Sequence, residues 1–156
     1  MNISEEMRDY LEDIDVTVHA ISRITKLFQL TAELLPAGQE IRRIFISETM
    51  GEEGRIYGGA WFFTSDCLSE AHNFMTPNEF IDFYSFKNNF ALINVKKNEF
   101  EFGAADTASR MRLKFMGISG SAMSGVTGEL KASGKNCDYL YRITKEIFIP
   151  NTLFST

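Results

Sequence analysis

The stretch Arg110-Met111-Arg112-Leu113-Lys114-Phe115 alternates charged and apolar residues without a break. Successive side chains of a strand point to opposite faces, so this segment predicts a strand with one face in a core and the other in water. The same twofold pattern spreads outward from it. Downstream, residues 125–132 read as a further strand. Upstream, residues 80–86 and Phe90 to Val95 are two apolar runs joined by Lys87-Asn88-Asn89, and asparagine's tolerance of positive φ marks a hairpin there. Lys96-Lys97-Asn98 reads as a turn before Phe100 and Phe102. Earlier still, Ile44 and Ile46 alternate with Arg43 and Phe45, Gly51-Glu52-Glu53-Gly54 supplies a turn, and residues 55–65 resume as strand through Trp61, Phe62 and Phe63.

Both ends of the chain read differently from this body. Over residues 4–35, Met7, Leu11, Ile14, Val18 and Ile21 recur at spacings of four and three, and Phe28 and Leu35 continue the phase. Ser4 caps the start, the acidic first turns suit the helix dipole, and Pro36 and Gly38 stop the run. Asp13, Asp15, Val16 and Thr17 are weak helix formers, which leaves open either one helix or a break into two there. Residues 137–149 fit a helical face through Leu140, Ile143 and Ile147. Their β-branched and aromatic content favours strand, and Pro150 ends them. The fold class expected is α+β: an N-terminal helical segment (4–35) packed on an antiparallel meander of seven or eight strands (40–149), a barrel or strongly curved sheet, with a tail at 150–156. All of it forms a single domain, residues 1–156.

Charge and composition narrow the function. Residues 1–15 hold Glu5, Glu6, Asp9, Glu12, Asp13 and Asp15 against Arg8 alone, while the rest of the chain balances, for a net charge of −5. A nucleic-acid binder needs a basic stripe that displaces counterions, and a neutral body with an acidic head opposes that. The basic groups Arg42-Arg43, Lys96-Lys97 and Arg110/Arg112/Lys114 read as solvated strand or turn surface. No apolar run approaches the ~20 residues of a membrane helix, and an acidic N-terminus is no secretory signal. Cys67 and Cys137 cannot make a disulfide framework, so a cytoplasmic location is expected, with Cys67 buried and inert.

Eleven of the 20 aromatic residues lie between Trp61 and Phe102. Adjacent pairs such as Phe62-Phe63 and Phe83-Tyr84 must face opposite sides, so these strands bury apolar surface on both. Packing explains this first; a cavity for a small apolar ligand lined by Trp61, Phe63, Phe83, Phe86 and Phe102 is the functional alternative. If the strand from Trp61 continues, Asp66, Glu70 and His72 share a face, and two carboxylates with an imidazole can hold a divalent metal or move a proton. A solvated strand face is the plain alternative. With only His19 and His72, histidine-based nucleophilic catalysis has few ways to exist, and His19 reads as structural. The glycine-rich run 117–128 lacks the Gly-Lys-Ser/Thr of a phosphate loop and reads as a hairpin link. No cofactor is expected.

The order from Gly58 to Gly117, with the Trp61 to Thr64 strand, a short crossing strand, the apolar hairpin Ile81 to Val95 and an alternating pair, resembles bacterial pleckstrin-homology-like or GRAM-type domains. The resemblance covers about 60 residues by layout. It implies a binding or scaffold module, while the basic cluster of lipid-phosphate binders is missing. The chain departs from that layout in its opening helices and in having no clear C-terminal capping helix. A helix-on-curved-sheet cone of the NTF2 type is the competing architecture. The leading expectation is a non-enzymatic interaction module, self-associating through Met7, Leu11, Ile14, Val18 and Ile21. The alternatives are the ligand carrier and a metal- or acid/base-assisted enzyme.

Overall fold

The computed structural model describes residues 2–51, 54–85, 90–98, 110–119 and 122–152. The chain forms two compact units, Met1–Ser85 and Phe86–Thr156. The expectations placed on Glu52-Glu53, Phe86, the Asn88-Asn89 hairpin, Phe100, Phe102, Gly120-Ser121 and residues 153–156 lie outside the described residues.

The first unit opens with helices α1 (Glu5–Asp13) and α2 (Val18–Leu34). Ser4 caps α1 by accepting from the Met7 amide at 3.1 Å, and Thr17 caps α2 by accepting from Ala20 at 3.2 Å. Between them the chain leaves α1 through Asp15, whose φ of 62° is left-handed. There the Asp15 amide gives to the Glu12 carbonyl and Val16 reaches back to Leu11. Those two bonds are the Schellman closure, which ordinarily takes glycine at the left-handed position. The break falls where weak helix formers cluster.

Strands β1 (Arg43–Gly51), β2 (Gly54–Phe63), β3 (Cys67–His72) and β4 (Phe80–Ser85) form an antiparallel sheet in sequence order. Its register puts Ile44, Ile46, Ala60, Phe62, Ser69, Ala71, Ile81 and Phe83 on one face. On the other stand Phe45, Trp61, Phe63, Leu68, Glu70, His72, Asp82 and Tyr84. Phe28 of α2 meets Phe62 edge-on at 6.2 Å, so α2 covers the first face. Arg23 of α2 pairs with Glu79, tying the helix to the β3–β4 connection. At the other edge the Ile46 amide donates to Tyr10 Oη at 2.9 Å. Tyr10→Phe removes that acceptor from a buried amide and should cost about 1–3 kcal/mol in urea unfolding. An unchanged midpoint would mean the amide is satisfied without the hydroxyl.

The second unit pairs β5 (Phe90–Asn98), β6 (Arg110–Ser119) and β7 (Ala122–Ser133), again antiparallel and in order. Helix α3 (Asn136–Ile143) follows, then a π-helical turn Thr144–Phe148 and a 3-10 turn Ile149–Asn151. Phe90, Phe115 and Phe148 pack with ring centroids 5.1–5.3 Å apart. Met111, Leu113, Leu130, Cys137, Leu140 and Ile143 complete the core.

The α+β class holds, and three finer expectations do not. Among the described residues, seven strands make sheets of four and three, with no closed barrel and no single seven- to eight-stranded meander, because alternation marks strands without saying which edges pair. Residues 137–149, expected as strand, are helical: the i, i+3, i+6 face of Cys137, Leu140 and Ile143 is buried, and that burial outweighs the β propensity of Tyr139 and Tyr141. Lys96-Lys97-Asn98 is no turn but the end of β5, paired with Arg112, Met111 and Arg110. No helix among the described residues is long and apolar enough to cross a membrane.

Candidate functional site

The chain does not run straight from Trp61 to His72. It turns at Thr64, whose hydroxyl accepts from the Cys67 amide at 2.9 Å and lies 2.7 Å from Gln39 Oε1. Asp66 sits in that turn, accepting from Gln39 Nε2 at 3.3 Å, and is not part of a cluster with Glu70 and His72. The register brings Asp82 of β4 opposite Glu70 instead. His72 Nε2 lies 2.8 Å from Asp82 Oδ2 and 3.1 Å from Glu70 Oε1. Phe80, opposite His72, stacks on the imidazole at 4.4 Å. Tyr84 Oη donates to Asp82 Oδ2 at 3.2 Å, and its ring stacks on Trp61. Gly59 leaves the room: a Cβ there would meet Glu70 Oε2 at 3.0 Å.

The two carboxylates differ by their surroundings. The Glu70 side chain is 13% exposed and that of Asp82 46%. Burial, and then the facing Asp82 carboxylate, push Glu70 up to about 7. Burial also raises the Tyr84 phenol, with Asp82 and Glu70 adding to it. The shorter of the two Nε2 contacts belongs to Asp82. A carboxyl raised to about 7 gains and loses its proton near neutrality. The cluster can hold and release a proton. No group of His, Cys, Asp and Glu side chains among the described residues is placed to hold a metal ion.

The other expected residues separate. Trp61 and Phe63 are buried on one face while Phe83, 43% exposed, is on the opposite one, so the three do not line one volume. Met7, Leu11, Ile14 and Ile21 are buried; Val18 is 85% exposed and leaves the stripe, because the Asp15 break resets the helical phase. Cys67 is half-buried rather than buried, Cys137 is buried, and both are free thiols; His19 is exposed.

Two surfaces stand out. Strand β4 hydrogen-bonds to β3 on one side and ends its sheet, with Phe80 and Phe83 about half exposed. In the second unit, the face of β5-β6-β7 away from α3 carries Leu92, Asn94, Lys96, Arg112, Lys114, Met116, Thr127, Glu129 and Lys131. At one end of it a groove of about 400 Å³ is lined by Leu92, Lys114, Met116, Thr127 and Glu129. The sequence pointed to Glu70 and His72 but missed Asp82 and Tyr84; the one signal for them was an acid inside the otherwise apolar Phe80–Ser85 run. No family pattern matches this chain, and no curated protein matches it.

Proposed function

We propose that this chain is a non-enzymatic protein-interaction module that self-associates by taking a second copy's strand along β4. One observation carries the reading. β4 is an end strand with a regular register, contains no lysine or proline, and exposes Phe80 and Phe83. Natural sheets blunt such edges with lysine, proline or bulges; the one charge of β4, Asp82, is engaged by His72 of the neighbouring strand, and such an edge is a template for strand addition. The resemblance of the Gly58 to Gly117 stretch to pleckstrin-homology-like or GRAM-type domains implies the same binding or scaffold role.

In sedimentation from low to high micromolar concentration, the mass should rise above the monomer's 17.7 kDa while the β4 amides gain protection from hydrogen exchange. Phe80→Lys with Phe83→Lys, both at exposed positions, should keep the fold and lose that β4 protection. β4 amides that exchange equally fast at every concentration would overturn the reading.

An acid/base enzyme remains the second reading, favoured by Glu70 near 7 with His72 at 3.1 Å.

A further inference from the structure

The face of β5-β6-β7 away from α3 changes character along its strands. One row is Leu92, Met116 and Thr127, directly opposite one another across the three strands. Leu92 and Met116 are both exposed, so two large apolar side chains lie side by side in water. The next row is Asn94, Lys114 and Glu129. The β5 register shifts between Phe90 and Leu92, and such an irregularity bends a strand and increases its twist. The groove of about 400 Å³ lies across these two rows, against Leu92, Lys114, Met116, Thr127 and Glu129.

Lys114 and Glu129 are opposite partners on the ladder, yet the carboxylate is engaged in the other direction. Glu129 Oε1 lies 3.7 Å from Arg112 Nε and 3.7 Å from Lys131 Nζ. Lys114 is exposed and has no ion pair among the described residues. The groove therefore joins an apolar wall to one ammonium that the sheet does not neutralise.

That pairing selects by chemistry. An aliphatic chain laid over Leu92 and Met116 takes their surface out of water. One ammonium balances one negative charge, and Thr127, diagonal to Lys114 across β6 and β7, brings a hydroxyl that can donate to the same group. Glu129 in the same wall repels a second negative charge, which favours a monoanion over a phosphate dianion. The volume is at the small end of the roughly 300–1,000 Å³ typical of small-ligand sites, which suits a slender chain over a bulky polycycle.

We propose that this groove binds a medium-chain aliphatic carboxylate, with its chain over Leu92 and Met116 and its carboxylate on Lys114 Nζ. The site lies wholly within the second unit and does not depend on the β4 reading.

The test is a titration of the full chain, its methionine methyl groups isotopically labelled, followed by nuclear magnetic resonance. The probes are decanoate, decylamine and decyl phosphate, each below the concentration at which it forms micelles. Decanoate should shift the Met116 methyl signal saturably, the signal being assigned by its loss in Met116→Leu. Decylamine should bind about fivefold more weakly or worse, and Lys114→Gln should weaken decanoate about fivefold, the upper range for one exposed ion pair. Lys114→Arg, which keeps the charge, should restore the affinity. A Met116 methyl that decanoate does not move overturns the site. Equal binding of decanoate and decylamine reduces the groove to an apolar patch and also overturns it. Decyl phosphate binding more tightly than decanoate overturns the carboxylate assignment. The three probes on the unaltered chain decide these outcomes by themselves should Lys114→Gln fail to fold.

Discussion

Leu11→Asp should abolish cooperative unfolding of the N-terminal unit, while Val18→Asp should leave it intact. The two positions share one apparent stripe in the sequence, yet Leu11 is fully buried and Val18 is 85% exposed. A carboxylate at position 11 enters the buried side of α1, which carries Met7 and Tyr10. An unpaired buried charge costs more than about 4 kcal/mol, a large part of the 5–15 kcal/mol that holds a typical domain. Leu11→Ala, which adds no charge, should cost about 2–5 kcal/mol. Val18 is the first residue of α2, where an acid meets the positive end of the helix dipole, so Asp there should gain a few tenths of a kcal/mol. Urea unfolding followed by far-ultraviolet circular dichroism separates these outcomes. Equal effects at the two positions would show that the stripe is continuous through Asp15.

Glu70→Gln should stabilise the protein at pH 8 and leave it unchanged at pH 4. Folding raises the Glu70 carboxyl from its ordinary 4.5 to about 7, so the folded chain holds this proton more tightly than the unfolded one. Stability from this group is therefore complete below pH 4.5 and is lost as pH rises through 7. At about 1.4 kcal/mol per unit the loss reaches roughly 3 kcal/mol. Glutamine keeps the shape and cannot ionise, which removes the loss. Urea midpoints measured from pH 4 to 8 should slope downward for the unaltered chain and run flatter for the variant. Parallel slopes would place the titration elsewhere.

The sequence was most informative where one pattern has one structural answer. Alternation over Arg110–Phe115 gave a strand with Met111, Leu113 and Phe115 inward, and the propensity dip at 13–17 marked the helix break. It was least informative where two patterns overlap or where distant strands must meet. Residues 137–149 satisfy both periods, and only packing against β6 and β7 chose the helical one. Glu70 and His72 are two apart and were visible together; Asp82 joins them only through the β3–β4 register, which a single sequence does not reveal. The row Leu92-Met116-Thr127 is invisible for the same reason, since its members come from three strands.

Both sheets run in chain order, each strand beside the one before it. Every ladder thus closes across a short stretch of backbone, so the loop entropy to be overcome at each step is small. Chains whose pairings are local reach the native state faster than those that must join remote segments. During synthesis, β1 to β4 and the two helices have all emerged once Ser85 has left the ribosome. The N-terminal unit can gather its sheet before the later strands exist, which shortens the time its aromatic segments spend uncovered.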